Sequence, residues 1–173
     1  MTTIITTQFD SDGIATLTWN DPNHSTNLLY EESMKEFEAT LEMCRKKQAK
    51  GIIITSGKST FIAGADIRFI QKMIEANDHK AFRHTIDHLH RILRDMEQQG
   101  IPVVAAINGL VLGGGFELCL ACHHRIALNR PDIRIGLPEA QLGIFPGLGG
   151  TIRSLHLLGC EKALGLLLKG QTV

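Results

Sequence analysis

The chain has 173 residues, 43% of them hydrophobic and 21% charged, which is typical of one folded domain and excludes a disordered or low-complexity protein. Its 18 basic and 18 acidic residues balance, so no overall field favours nucleic acid or an anionic membrane as the main partner. The four cysteines are too few for a disulfide scaffold and suit a reducing compartment.

The first two elements are predicted to form a β-hairpin. Residues 4–9 and 14–19 are β-like runs on either side of Asp12-Gly13, and glycine accepts the positive φ that a tight hairpin turn requires. In the second run Ala15, Leu17 and Trp19 alternate with polar residues. We therefore expect these three side chains to lie on one face of the sheet.

A helix and a buried strand are expected next. From about residue 29, apolar side chains recur at helical spacing, with Phe37 and Leu41 near the centre of the stripe. We expect Gly51 to end this helix. Ile52-Ile53-Ile54 then indicates a strand that is buried on both faces.

A second long helix follows. Its apolar stripe comprises Phe82, Ile86, Leu89, Leu93 and Met96, and Gly100 with Pro102 should end it. The alternation of strands and helices, without an aligned repeat or a linker, predicts an α/β fold in a single domain over residues 1–173.

Residues 101–122 are apolar enough to resemble a membrane span. The stretch nevertheless contains Pro102, Asn108, three successive glycines and Glu117, each of which would be costly in lipid. A buried strand at 103–107, a loop, a buried helix and a further strand around 126–128 explain it better. The N-terminus also lacks the charged and apolar regions of a signal peptide.

The strongest candidate site is Gly113-Gly114-Gly115-Phe116-Glu117, between the strand and the apolar helix. Glycines allow a substrate to approach the backbone, and the first amides of a helix have no internal partners. Together with the helix dipole they would bind a developing oxyanion, and Glu117 would lie beside it. A tight-packing turn, with a glutamate that offsets the dipole, is an equally good interpretation of this segment alone.

Two other loops are weaker candidates on their own. Residues 61–67 follow the triple-isoleucine strand and could present a backbone amide, but a simple turn with Asp66 as helix N-cap explains them more readily. Glu139 follows Pro138 in a glycine-rich loop, where a solvated and idle glutamate is the ordinary expectation. Its separation of 22 residues from Glu117 fixes no geometry.

Other motifs are poor matches. Gly57-Lys58-Ser59 resembles the end of a P-loop, but the glycine that the motif needs is replaced by Ile52. Cys119, Cys122 and the following histidines have haem- or zinc-like spacing, yet they lie in an apolar helical segment without a second ligand pair, so we predict core packing and no metal site. The chain has no G-x-S-x-G elbow of a serine hydrolase.

Three long segments, in order, resemble the enoyl-CoA hydratase/isomerase (crotonase) superfamily. They are FIAGADI at 61–67, NGLVLGGGFELCLAC at 108–122 and GLPEAQLGIFPGLGGT at 136–151. The chain looks closest to the hydratase/isomerase part of the α-subunit of fatty-acid β-oxidation complexes. The resemblance implies a spiral of ββα units and a C-terminal helical region that family domains carry beyond position 173, so the chain is interpreted as a truncated core.

The resemblance also implies roles for individual residues. The amides of Ala65 and Gly114 would form an oxyanion hole for the thioester oxygen. Glu117 and Glu139 would face each other across the Cα–Cβ bond of the acyl chain, with Glu117 as the base that activates the water and Glu139 as the acid that delivers a proton to Cα. The backbone at Ala63 would contact the adenine of CoA, and Arg68 its phosphates.

The implied reaction is hydration of trans-2-enoyl-CoA to 3-hydroxyacyl-CoA in fatty-acid β-oxidation, with Δ3-Δ2 isomerisation as a possible second activity. It needs no cofactor or metal, since CoA is part of the acyl-CoA substrate. NAD would be required only if a 3-hydroxyacyl-CoA dehydrogenase part follows in the full-length protein. That protein is expected to form a homo-oligomer or to bind a thiolase β-subunit. Its expected location is a bacterial cytoplasm, with the mitochondrial matrix as the second choice.

Two other functions compete with this one. The chain could be a non-catalytic crotonase-fold binding protein, such as the family's RNA-binding members, or another acyl-CoA lyase or hydrolase of the same fold. The presence of both Glu117 and Glu139 favours the hydratase, because the other branches usually replace one of them, and the balanced charge disfavours RNA.

Overall fold

The computed structural model describes residues 3–172, which form an α/β fold as the sequence predicted. The strands are β1 (Ile5–Phe9), β2 (Ile14–Trp19), β3 (Gly51–Ser56), β4 (Val103–Ile107), β5 (Val111–Leu112), β6 (His124–Ala127) and β7 (Ile135–Gly136). The helices are α1 (Glu31–Lys46), α2 (Ile67–Glu75), α3 (His79–Gln98), α4 (Gly114–Ala121), α5 (Gly150–Leu158) and α6 (Cys160–Lys169), with a 3₁₀ helix at Pro138–Leu142.

The main sheet has the strand order β1-β2-β3-β4-β6. Strands β1 and β2 form the antiparallel hairpin expected around Gly13, and the pairs β2–β3, β3–β4 and β4–β6 are parallel. Parallel strands end at the same edge of a sheet, so the segments that follow β3 and β4 emerge side by side. These are the segments with the 61–67 and 113–117 motifs.

A second, two-stranded sheet pairs β5 with β7 in parallel. The Gly113 N–H donates to the Gly136 carbonyl at 3.0 Å, which extends this pairing to the start of α4. The pairing therefore brings the third motif, at 136–151, beside the glycine-rich turn. The order of the motifs along the chain did not reveal this contact.

The core lies between the main sheet and helices α1, α3 and α4. Trp19 and Phe37 are both buried, and their ring centroids are 5.5 Å apart. The stripe predicted for the first helix is buried, as are Leu93 and Met96 at the C-terminal end of α3. Burial of a large apolar side chain stabilises the fold by about 1.5–3 kcal/mol, so these contacts supply much of the stability.

Two boundaries differ from the sequence predictions. Helix α1 ends at Lys46, and Gln48 turns the chain with φ of +54°, so Gly51 does not end the helix but begins β3. Strand β6 begins at His124 and not near 126. In both places the chain changes direction at polar residues, and no glycine or proline marks the turn.

The apolar stretch 101–122 is divided among β4, β5 and α4, as expected. Within the part of the chain that the structure describes, no helix combines the length and hydropathy needed to cross a bilayer.

Candidate active site

The three motifs converge at the carboxyl edge of the main sheet. A Cβ atom built on Gly113 would lie 3.0 Å from Glu139 Oε1 and 3.7 Å from Gly64 Cα. A Cβ atom built on Gly114 would lie 3.7 Å from Ala65 N. Segments more than 40 residues apart in the sequence thus lie close together, and a side chain at 113 or 114 would occupy the space between them.

Two backbone amides at this junction have no acceptor within the described part of the chain. Leu29 pairs with the 64–66 segment through Leu29 N–H to Gly64 O (2.9 Å) and Asp66 N–H to Leu29 O (3.0 Å), which leaves the Ala65 N–H out of the pairing. Gly114 is the first residue of α4, so its N–H has no intrahelical partner. Within residues 3–172 neither N–H donates a hydrogen bond to the protein.

The turn before α4 requires glycine. Gly113, the N-cap of α4, has φ of +52° and ψ of −131°, a combination that L side chains rarely adopt. This turn places the start of α4 beside the 64–65 segment. Two unsatisfied N–H groups and the positive end of the helix dipole therefore make a receptor for negative charge.

Glu117, in the first turn of α4, is 2% exposed. Its Oε1 atom accepts hydrogen bonds from the backbone N–H groups of Leu148 and Gly150, both at 2.7 Å. Burial nevertheless raises the pKa of the carboxyl to about 7, the two amides oppose that rise, and the nearby Glu139 carboxylate adds to it. A carboxyl with this pKa can accept or release a proton at neutral pH.

Glu139 lies in the 3₁₀ helix and is 7% exposed, so the ordinary expectation of a solvated glutamate is wrong. Its Oε2 atom is buried and has no hydrogen-bond partner in the described part of the chain. Burial raises the pKa of this carboxyl as well. A buried, unpartnered oxygen in a cleft is unusual in a structural glutamate, since leaving it unpaired costs free energy.

The two residues expected to contact CoA lie next to the amides. Ala63 is partly buried, and its N–H donates to Asn27 O at 2.9 Å, so only its carbonyl is available to a ligand. The Arg68 side chain is 75% exposed and approaches Asp66 Oδ1 at 3.3 Å. Asp66 is the N-cap of α2, as the turn interpretation predicted, and accepts from Arg68 N–H at 3.0 Å.

The residues that hold Glu117 were not predictable from the sequence. The glycine run 147–150 indicated a loop, but nothing in it showed that its amides would bind a carboxylate 31 and 33 residues away. Asn27 was not predictable from the sequence either. It is fully buried and donates to Trp19 O, Ser56 Oγ and Phe61 O. Asn27 lies between Pro22 and helix α1, and an asparagine there carries no local signal of such a role.

The P-loop-like and the haem- or zinc-like segments make structural contacts. Lys58 Nζ donates to the backbone carbonyls of Asp21 and His24. Cys119 and Cys122 are buried, and burial raises the pKa of the Cys122 thiol to about 12. The described residues contain no group of three or more His, Cys, Asp or Glu placed to hold a metal ion.

Comparison with known proteins adds three findings. The family model for enoyl-CoA hydratase/isomerase matches residues 10–173. The fatty acid oxidation complex subunit alpha of Acinetobacter baylyi is 43% identical over 162 residues, and that of Shewanella amazonensis is 41% identical over 164. These matches cover 92% and 94% of the chain, which spans only 22% and 23% of the two relatives.

Solved structures show the same fold. An enoyl-CoA hydratase from Geobacillus kaustophilus superposes with a TM-score of 0.89 at 30% identity, covering 100% of this chain and 63% of that one. An enoyl-CoA hydratase from Bacillus anthracis gives 0.87 at 31% identity, covering 99% and 64%. The crotonase-type α/β spiral expected from the resemblance is therefore confirmed.

Proposed function

The chain belongs to the enoyl-CoA hydratase/isomerase family, whose model matches residues 10–173, and we propose that it carries a site for hydrating trans-2-enoyl-CoA to 3-hydroxyacyl-CoA. The observation that carries the proposal is the meeting of two unpaired amides with two buried glutamates of raised pKa. Each component has an ordinary structural explanation when it is taken alone. Together, the two amides can bind the negative charge and the two glutamates can transfer the protons that this reaction requires.

The amides of Ala65 and Gly114 are proposed to bind the thioester oxygen. Addition of water at Cβ moves negative charge onto that oxygen, so fixed donors stabilise the enolate-like transition state more than the substrate. Removal of one such donor typically costs about 3–4 kcal/mol of transition-state stabilisation. Because both donors are backbone groups, their positions depend on the backbone, including the turn at Gly113, and not on the identity of a side chain.

Glu117 and Glu139 are proposed to handle the protons. In this mechanism Glu117, ionised, removes a proton from the attacking water, and Glu139, protonated, donates one to Cα. The carboxyl of Glu117 is held by Leu148 and Gly150 through Oε1, so Oε2 is the oxygen that remains for the water. The unpartnered Oε2 of Glu139 would gain a partner when substrate or water enters.

A second candidate activity is Δ3-Δ2-enoyl-CoA isomerisation. It needs one carboxyl that can shuttle a proton between C2 and C4 while the amides hold the enolate. Glu139 favours this candidate because one of its oxygens has no partner within residues 3–172. Comparison of crotonyl-CoA with a 3-enoyl-CoA as substrate separates the two activities.

The acyl-CoA substrate is proposed to lie with its adenine near the Ala63 carbonyl and its phosphates near Arg68. Both residues border the segment that presents the Ala65 amide, which suits a ligand whose thioester reaches that amide. A dehydrogenase step with NAD and binding of a thiolase β-subunit or a second copy stay predictions for the complete protein.

The test is hydration of crotonyl-CoA by the protein expressed from its complete reading frame. Glu117→Gln and Glu139→Gln should each lower kcat by at least about 100-fold, the usual effect of losing a positioned acid or base. Glu161→Gln, at an exposed glutamate of α6, is the control and should leave kcat unchanged. Activity within a few-fold of wild type in either active-site variant would remove that residue from the mechanism.

A further inference from the structure

The loop that binds Glu117 is itself in contact with a partly buried ion pair. Arg153, on α5, donates from Nη1 to the Leu148 carbonyl at 2.6 Å. Its Nε and Nη2 atoms donate to the two carboxylate oxygens of Glu97 on α3, at 2.7 and 2.9 Å. Both side chains are mostly buried, with exposed fractions of 16% and 22%.

This ion pair reaches the Glu117 carboxylate through one residue, Leu148. Leu148 accepts from Arg153 through its carbonyl and donates to Glu117 Oε1 through its N–H. Gly150, the first residue of α5, supplies the second N–H to the same oxygen. Arg153 therefore contacts one of the two donor residues directly, and the other lies two residues further along the same loop.

The backbone between the two donors depends on the guanidinium as well. Gly149 has φ of +92°, which favours glycine, and a Cβ atom there would displace Arg153 Nη1 from its present position. The Cε1 atom of His90, from α3, lies 3.7 Å from the same position. Arg153 therefore fills the space between the loop and α3 that a side chain at 149 would otherwise occupy.

We propose that Arg153, clamped by Glu97, is a positioning residue that holds the Leu148–Gly150 amides against Glu117 in the geometry that hydration requires. The proposal rests on the proposed function. Arg153 does not touch the reacting atoms and is not a catalytic residue. Its fork of donors suits this task because one guanidinium binds a carboxylate through two bonds and a carbonyl through a third.

The ion pair of Arg153 with Glu97, called the clamp below, should also affect the ionisation of Glu117. Burial raises the pKa of Glu117, Glu139 adds to the rise, and the charge of Arg153 and the two amides oppose it. On α3, Glu97 pairs with Arg153, Arg94 approaches Glu97 at 3.4 Å, and His90 faces Gly149. Loss of the positive charge at 153 should therefore move the acid limb of the kcat profile to higher pH.

The experiment measures kcat, KM and the pH profile of crotonyl-CoA hydration in the protein from its complete reading frame. Arg153→Gln should lower kcat by about 10- to 100-fold, leave KM nearly unchanged, and shift the acid limb upward. Arg153→Lys should restore the acid limb while recovering kcat only in part, because an ammonium lacks the fork. Arg83→Gln, at an exposed residue of α3, is the control.

Glu97→Gln separates the clamp from the charge. It keeps the positive charge at 153 but weakens its anchor, so kcat should fall while the acid limb stays in place. An unchanged kcat and acid limb in Arg153→Gln, or a loss confined to KM, would overturn the proposal. So would equal acid limbs in the Gln and Lys variants at position 153.

A second measurement does not depend on activity. Hydrogen exchange of the segment 147–151, followed by mass spectrometry, should be faster in Arg153→Gln than in wild type, while β3 stays protected. If wild type fails to hydrate crotonyl-CoA, the proposed function fails, and this arm still tests the clamp. Unchanged exchange in that segment would refute the positioning role independently.

Discussion

Replacement of Glu117 by glutamine should stabilise the folded protein at alkaline pH, even though it removes the proposed general base. Glutamine has nearly the same shape, and its amide oxygen can still accept from Leu148 and Gly150 N–H. What it removes is the cost of holding a charge in a site that is 2% exposed.

The magnitude follows from the pKa of Glu117, which burial raises from 4.5 to about 7. One pKa unit corresponds to about 1.4 kcal/mol, so the ionised carboxylate costs the folded state on the order of 3 kcal/mol above pH 7. The sign follows from proton binding, because between pH 4.5 and 7 the folded state holds a proton that the unfolded chain has lost. Stability from this group is full below pH 4.5 and is lost as pH rises through 7.

Urea unfolding of wild type and Glu117→Gln at pH 5 and pH 8 tests the prediction. The stability of the variant relative to wild type should be greater at pH 8 than at pH 5 by about 2–3 kcal/mol. The comparison across pH cancels any constant difference between an amide and a carboxyl. It also cancels most of the contribution of Glu139, whose pKa is raised by burial in both proteins.

Glu161→Gln provides the matched control, since it removes an exposed carboxylate and should show little change between the two pH values. If wild type and Glu117→Gln lose the same stability between pH 5 and pH 8, the carboxyl of Glu117 is not strained by burial. In that case the geometry of two amides on Oε1 outweighs desolvation, and the carboxylate is ionised well below neutral pH.

Three further predictions concern the surroundings of the site. Gly115→Ala should lower stability by about 1–3 kcal/mol in thermal unfolding, because its Cβ would overlap the Ile62 carbonyl; an unchanged Tm would show that the backbone relaxes freely there. Asn27→Ala should cost at least about 2 kcal/mol, since several buried partners lose their hydrogen bond, and a smaller loss in urea unfolding would contradict this. Of the four thiols only Cys160 is exposed, so it should react rapidly with a thiol reagent in the native protein. Elemental analysis of the purified protein should find no stoichiometric zinc.

The elements with strong local patterns were predictable. The hairpin around Gly13, the apolar stripe of α1 and the helix start after Gly113 follow from periodicity and glycine, which act within a few residues. The ends of α1 and the start of β6 were misplaced because polar residues turn the chain there without a glycine or proline. Both errors are local and leave the order of the elements unchanged.

The long motifs also identified the family and the candidate residues Glu117 and Glu139 before any contact was known. They did not reveal that Glu139 is buried, because in isolation Pro138 and the glycines around it indicate a solvated loop. The burial follows from the pairing of β5 with β7, which places the segment at 136–139 against Gly113.

Local sequence thus determines which backbone positions can turn, begin a helix or carry a carboxylate, since those properties depend on a residue and its near neighbours. The pKa of Glu117, its two amide partners and the ion pair of Arg153 with Glu97 depend on groups 22 to 56 residues apart. Burial and electrostatic interactions act over distance in space, so only the folded chain, in which parallel strands end at one edge, brings these groups together.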